Sequence, residues 1–302
     1  MSNILITGAS GLIGTSLTNM LLQRGHTVSH LGRSKKSDGE VKSFVWNISL
    51  QHMDEESLSG IDTIIHLAGA GVADKRWTKK RKQEILESRT QSTKLLFDVL
   101  KKGNHQVTSF ISASAIGYYG FESNDMLTEA SPAGGDYLAT VTKQWEDEVD
   151  KIESLNIRLV KVRIGIVLSE RGGALKEMML PVKLFVGSPL GSGNQYLSWI
   201  HIHDLCAIFC KSVEDRMMTG VYNGVGPHPT TNRAFTRAIA KVLRRPLFLP
   251  AIPGFLLKLV IGEMADIVVG GSKVSSHKIQ QAGFSFQFDS LDKALRDLIS
   301  KN

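Results

Sequence analysis

The stretch that most limits what this chain can fold into lies at its start: Ile4-Leu5-Ile6-Thr7-Gly8-Ala9-Ser10-Gly11-Leu12-Ile13-Gly14. Ile4 to Ile6 is a short apolar run of the kind that forms a buried strand. From Leu12 onward, Ile13, Leu17, Met20 and Leu21 recur at helical spacing, and Gly25 after Arg24 marks a helix end. The glycines therefore occupy a strand-to-helix turn. Free amides at such a helix N-terminus, aided by the helix dipole, can hold a pyrophosphate. Glycine is required where the backbone turns tightly or approaches a ligand closely. The spacing is G-x-x-G-x-x-G rather than G-x-G-x-x-G. Cofactor contacts are expected from Gly8, Ser10, Gly11, Leu12, Ile13 and Gly14.

Strand and helix patterns then alternate. Strands are expected at 27–31, 63–68, 110–112 and 157–166, and helices at 84–100 and 143–152. This alternation predicts an α/β fold, a Rossmann-type doubly wound parallel sheet. The second half is punctuated by Gly172-Gly173, Gly187-Ser188-Pro189 and Gly191-Ser192-Gly193, with later helices at 233–243 and 291–299. It reads as a dinucleotide-binding domain over 1–226, carrying a lobe insertion at about 172–197, and a smaller C-terminal substrate-side lobe over 227–302.

At the end of the second strand, a NAD-binding protein usually places an acid on the ribose hydroxyls. This chain has Gly32-Arg33-Ser34-Lys35-Lys36 there. An acid would repel a 2′-phosphate, whereas the Arg33 fork of donors, with Lys35 beside it, can grip one. NADP is the expected cofactor, with Gly32, Arg33 and Ser34 around its phosphate. Leu67, Ala68 and Gly69 end the next strand, where small residues let backbone pass close to the adenosine.

Two cysteines, Cys206 and Cys210, make no disulfide framework, which suits a reducing cytoplasm. The first strand begins almost at once, leaving no room for a signal peptide. The apolar stretch 255–271 is broken by Lys258, Glu263 and Asp266 and makes a poor membrane span. The net charge of +7 is concentrated at 75–82, read as the solvated face of a helix. A cytoplasmic protein with a small-molecule substrate, and with no nucleic-acid or membrane partner, is expected.

The run 201–210 contains His201, His203, Cys206 and Cys210, but its spacing fits no standard zinc site, so no metal is expected. Asp204 reads as the N-cap of a helix from Leu205, with the cysteines on its buried face.

Thr7 to Gly14 resembles the opening of the extended short-chain dehydrogenase/reductases, the epimerase/dehydratase group. Ser112 to Gly120 resembles the strand that supplies their catalytic serine, and Ser114 takes that place. Those enzymes use a tyrosine with a lysine four residues later; the chain has no Y-x-x-x-K. Tyr137 and Lys143 are six apart, about 240° around a helix, and cannot face each other if both are helical. Alignment through Glu146 instead puts Leu138 and Thr142 at the pair. Tyr118 and Tyr137 remain as proton donors near the cofactor, with Lys143 a weaker candidate.

The chain also resembles an atypical branch, the epimerase-family proteins with a short C-terminal extension domain. The matching stretches include His66 to Gly71 with Ala73 to Trp77, Glu87-Ser88-Arg89, Ser114 to Gly120, Val162 to Leu168, Gly187 to Gln195 and Trp199 to Leu205, then Phe248-Leu249-Pro250 and Ala282-Gly283-Phe284. The resemblance implies NADP binding, contacts from Glu84 and Arg89 to the cofactor, and Val167 near its nicotinamide end. Members of the branch generally lack the tyrosine–lysine pair. Two readings follow. One is an NADP-dependent epimerase, dehydratase or reductase of a small substrate, a nucleotide sugar being one class. The other is a non-catalytic NADPH-binding redox sensor or partner-binding protein.

Overall fold

The computed structural model describes residues 1–35, 41–121, 123 and 125–299; Lys36, beside the expected phosphate-reading residues, lies outside them. The glycine turn acts as its sequence requires. β1 (Asn3–Thr7) buries Ile4, Leu5 and Ile6 completely, and α1 (Leu12–Gln23) presents Leu17 and Leu21 to the same core. A Cβ on Gly14 would stand 2.5 Å from Ala9 Cα, so only glycine lets α1 leave the strand this closely.

β2 (Thr27–Gly32), β3 (Lys42–Asn47), β4 (His52–Met53) and β5 (Thr63–His66) follow. α2 (Lys79–Lys101) begins where the Thr78 hydroxyl accepts the Arg81 amide at 3.1 Å. After β6 (Ser109–Ala115) and β7 (Met126–Leu127), α3 (Tyr137–Asp150) begins where Asp136 accepts the Ala139 amide at 2.9 Å. Both are side-chain N-caps. Then come β8 (Arg158–Ile164), β9 (Ile166–Leu168), α4 (Ala174–Lys183), β10 (Tyr196–Leu197), β11 (Trp199–His201), α5 (Ile202–Glu214), β12 (Gly220–Gly224) and β13 (Thr230–Thr231). α6 (Asn232–Leu243), α7 (Gly254–Ile261), α8 (Ala265–Val269), β14 (Lys273–Val274), α9 (His277–Gln281) and α10 (Leu291–Ile299) complete the chain.

The main sheet has the order β12-β8-β6-β5-β1-β2-β3-β4. Every neighbouring pair is parallel except β3 with β4. Helices cover it, α1 beside α5 and α2 beside α3. The fold is the expected doubly wound α/β sheet. The chain winds outward from β1 in both directions, so the strand order reverses between β1 and β5. In open α/β sheets that switch point is where ligands bind.

Local expectations differ in four places. The 157–166 strand divides at Gly165: the Gly165 amide makes the last rung to β12 at the Gly224 carbonyl, the Ile166 amide turns to the Ser198 carbonyl at 2.8 Å, and a Cβ on Gly165 would stand 2.3 Å from that Ser198 oxygen. α2 and α3 each start earlier than the apolar periodicity indicates, because Thr78 and Asp136 cap them. Asp204 is not an N-cap. It lies inside α5, and its carboxylate accepts the Gln287 and Phe288 amides at 2.9 and 2.8 Å, pinning the chain before α10. The basic run 75–82 is not simply a solvated face. Arg81 is buried, donating to the Gly71 carbonyl at 2.5 Å, and Lys82 lies over the rings of Trp77 and Tyr137.

The C-terminal residues share their core with the rest of the chain. Phe235, Phe288 and Leu295 pack with Leu168, Leu175 and Trp199, while Ile279 belongs to the core under the main sheet.

Candidate functional site

A cavity of about 390 Å³ opens over the C-terminal ends of β1, β2 and β5. Its walls are residues 8–11, 30–34 and 67–70, with Ser43, Trp46 and Ile48 from the β3 side and Glu84 and Ser88 from α2. Gly8 has φ +71°, and a Cβ there would meet the Leu67 carbonyl carbon at 2.8 Å. The turn thus lies flat against the end of β5. Gly11, the N-cap of α1 and part of the cavity wall, brings no side-chain cap, so the first-turn amides of α1 have no side-chain acceptor there.

Of the expected cofactor residues, Gly8, Ser10, Gly11, Gly32, Arg33, Ser34, Leu67, Ala68, Gly69 and Glu84 all line this cavity. Arg33 and Ser34 are exposed at its rim. Glu84, the only acid on the wall among the described residues, is paired with Arg81 at 2.8 Å, and that hydrogen bond holds its carboxyl below the usual range.

The remaining five lie elsewhere. Ile13 packs against the core, and Gly14 is the close contact behind the turn. Leu12 and Val167 converge at Gly173, where a Cβ would stand 3.3 Å from Leu12 Cδ2 and 3.9 Å from the Val167 oxygen. Arg89 supports the cavity wall from behind. Its guanidinium donates to the Ala70 and Ile85 carbonyls at 3.0 and 2.9 Å and lies 5.2 Å from the Trp145 ring centroid. Burial lowers its pKa to about 10, leaving it charged at neutral pH.

His30, Trp46 and Ile48 were not expected to line a site. The alternation of 42–47 was the available signal for β3, and only the parallel pairing of β2 with β3 brings Trp46 to the cavity.

The support beneath this wall is polar. His66 is fully buried at the end of β5, its Nδ1 2.7 Å from the Thr7 hydroxyl and its Nε2 3.3 and 3.2 Å from those of Ser92 and Thr93. Burial, and then the charge of Arg89, push its pKa down to about 3, so the ring is neutral.

At the end of β6, Ser114 is 2% exposed and donates to Glu146 Oε1 at 2.5 Å. Glu146 also takes two hydrogen bonds from Arg163, both at 2.8 Å. Arg163 continues to the Tyr119 hydroxyl at 3.0 Å, and Tyr119 donates to Asn223 at 2.7 Å. Burial alone would raise the Glu146 pKa. Arg163, Ser114 and Lys161 outweigh it and hold the carboxylate below its usual range.

Tyr118 lies with the Arg163 guanidinium 3.4 Å from its ring centroid, and no hydrogen bond from its hydroxyl is found among the described residues. Tyr137 sits edge-on to Trp77 at 4.9 Å and donates to the Lys82 carbonyl at 2.8 Å; burial raises its pKa. Lys143 points away to Asp147 at 2.9 Å. That contact raises its pKa most, with a smaller contribution from Tyr118.

The positions that face the end of β6 are Leu138 and Thr142. A Cβ on Gly117 would stand 3.4 Å from Leu138 Cβ and 3.6 Å from the Thr142 hydroxyl. The i,i+4 pair that would carry tyrosine and lysine therefore carries an apolar side chain and a hydroxyl that donates to its own helix at the Leu138 carbonyl.

Among the described residues, no three His, Cys, Asp or Glu side chains gather as a metal site, and no helix is long and apolar enough to cross a membrane. His201 stacks on Phe288 at 3.7 Å, and Cys206 and Cys210 are buried thiols whose pKa burial raises.

A parallel sheet wound both ways, with a glycine turn and a cavity at its switch point, is the layout of Rossmann-type dinucleotide-binding proteins. Sequence comparison gives the same class. The chain belongs to the NAD dependent epimerase/dehydratase family, whose pattern matches residues 4–226; residues 252–298 match a domain of unknown function, DUF1731. It is 36% identical over 300 residues to the epimerase family protein YfhF of Bacillus subtilis, covering 99% of this chain and 98% of that protein. The human epimerase family protein SDR39U1, solved with NADPH, is 30% identical with a TM-score of 0.87, covering 99% of this chain and 100% of the human one. A nucleoside-diphosphate sugar epimerase from Corynebacterium glutamicum is 29% identical with a TM-score of 0.79, covering 97% of this chain and 57% of that protein.

Proposed function

We propose that this chain is a cytoplasmic NADP(H)-binding member of its family that acts as a reductase or epimerase on a small substrate of the nucleotide-sugar class. The observation that carries the reading is Arg33. It stands at the cavity rim at the end of β2, where a NAD-reading carboxylate would otherwise be. The donor set suits a dinucleotide phosphate: the glycine turn of residues 8–11 and the uncapped start of α1 for the pyrophosphate, Arg33 and Ser34 for the 2′-phosphate, and, among the described residues, a single acid already paired with Arg81. The relatives solved with NADPH or named for nucleotide sugars support cofactor and substrate class.

When bound, the nicotinamide supplies two-electron redox chemistry. The chain supplies binding, position and a proton. Arg89 and Ser88 hold the 69–70 wall, Ser88 by accepting the Ala70 amide at 2.9 Å. Ser114 positions Glu146, and with it Arg163, beneath the Tyr118 ring. Tyr118 is then the phenol free to give or take a proton, because the Tyr137 hydroxyl is held by the Lys82 carbonyl.

The test is an NADPH oxidation screen over carbonyl substrates and nucleotide sugars with wild type and Tyr118→Phe. The reading expects turnover that the variant lowers by about a hundredfold or more, the size of a general acid–base contribution, with NADPH affinity unchanged. Turnover undisturbed in the variant removes Tyr118 from the mechanism.

A second reading, a non-catalytic NADPH sensor, is favoured by one observation: Leu138 and Thr142 occupy the dyad positions while the Ser114 hydroxyl is engaged. It expects tight NADPH binding, no turnover in the screen, and a partner whose capture differs between NADP and NADPH.

A further inference from the structure

Helix α7, Gly-Phe-Leu-Leu-Lys-Leu-Val-Ile, buries none of its residues, although all but Gly254 and Lys258 are large and apolar. Phe255, Leu259 and Val260 are 69%, 77% and 72% exposed. The exposure is not confined to the helix. Of fifteen large apolar side chains exposed among the described residues, ten lie in 180–186 and 248–260. These two segments run side by side. Leu190 pairs with Ile252, a Cβ on Gly187 would stand 3.0 Å from Leu247 Cδ2, and the Arg245 guanidinium lies 4.5 Å from the Phe185 ring centroid. They form one apolar face, larger than the scattered exposed side chains that a monomer surface normally carries.

Its charge is one-sided. Residues 178–186 and 241–261 contain five cations, Lys183, Lys241, Arg244, Arg245 and Lys258, and no carboxylate. Of the five, Lys258 is paired with a carboxylate, Asp266 at 2.9 Å. We propose that this face docks on the surface of an anionic lipid bilayer, with Phe255, Leu259 and Val260 entering the headgroup boundary and the arginines meeting lipid phosphates or carboxylates. An exposed apolar face with Lys and Arg in the segments that form it has the chemistry of a surface that lies in a membrane interface rather than across it. Pairing the face with a second copy would bring the same cations together, which disfavours a symmetric dimer there. The docking replaces the expectation of no membrane partner, which rested on the absence of a span. It is independent of the cofactor reading.

The test uses the full chain and sedimentation with vesicles of phosphatidylcholine alone or with about a third phosphatidylserine. The protein should sediment with the anionic vesicles, much less with the neutral ones, and less as salt rises. Phe255→Ser with Leu259→Ser should weaken binding about tenfold or more, and Arg244→Glu with Arg245→Glu should do the same. Both double variants should keep the wild-type melting temperature and NADPH affinity, since neither pair lines the cavity or the core. Equal binding to neutral and anionic vesicles, or none to either, overturns the proposal. So does a dimer in light scattering that Phe255→Ser with Leu259→Ser dissolves, which would make a second copy the occupant.

Discussion

The Ser114 hydroxyl links the end of β6 to the buried Glu146–Arg163 pair, and that engagement determines what the serine can do. A hydroxyl that donates to a buried carboxylate at 2.5 Å is a positioning group. Its place in the chain was legible from the Ser112 to Gly120 pattern. Its engagement was not, because Glu146 and Arg163 arrive from α3 and β8. The same holds for Arg89, whose contact with the cofactor wall is made from behind Gly69, not through the cavity. His66 gives the testable consequence at this scale. Its folded pKa, about 3, lies below the ordinary value near 6.5. The unfolded chain therefore binds a proton that the native ring refuses. The stability from this site is full above about pH 6.5 and is lost as pH falls from there toward 3. Between pH 7 and pH 5 the loss amounts to roughly 2 kcal/mol. Urea midpoints at the two pH values should show that drop in wild type and a flatter response in His66→Gln. An unchanged slope in the variant would mean the acid sensitivity arises elsewhere.

At the scale of elements, the parts set by local chemistry were the readable ones. β1, the glycine turn and α1 follow from apolar spacing and three glycines, and the alternation through β8 follows from period and punctuation. β3 was missed because 42–47 mixes Lys, Ser and Asn with Phe, Val and Trp, and its place is fixed by pairing with β2. Beyond β8 the chain was harder to read, since its strands are two or three residues long apart from β12. Such strands carry too few side chains to show a period. The missing dyad was legible as an absence. That Leu138 and Thr142 fill it needed α3, whose Asp136 cap sets where the helix starts and so which face meets Gly117. The element most open to test is the turn. Gly14→Ala places a Cβ 2.5 Å from both Ala9 Cα and the Gly8 oxygen, so α1 must shift from the cavity. The variant should lose about 1–3 kcal/mol of stability by overpacking and at least tenfold in NADPH affinity, read by melting and titration. Retained affinity would show that the turn does not set the phosphate grip.

Over the whole molecule, the hydrophobic cores join residues from both ends of the chain. Phe288 and Leu295 pack with Leu168 and Trp199, Asp204 pins the chain at residues 287–288, and Lys82 on α2 pairs with Glu263 just past α7. A cut at residue 226 separates Leu175 and Trp199 from Phe235, Phe288 and Leu295, with which they share a core. The full chain should unfold in one transition, and a fragment ending at 226 should neither fold nor bind NADPH. Calorimetry and circular dichroism of both would check this; a folded, cofactor-binding fragment would make the C-terminal lobe an independent addition.

The reading depends most on how the chain selects its cofactor. Calorimetric titration of wild type and Arg33→Ala with NADPH and NADH tests it directly. A well-formed charge-assisted hydrogen bond contributes about 1.5–3 kcal/mol, so wild type should bind NADPH roughly ten- to a hundredfold more tightly than NADH. Arg33→Ala should erase most of that difference while leaving NADH affinity nearly as it was, because the glycine turn of residues 8–14 is untouched. Equal affinities for the two cofactors in wild type would contradict the account and leave Arg33 a solvated residue at the cavity rim.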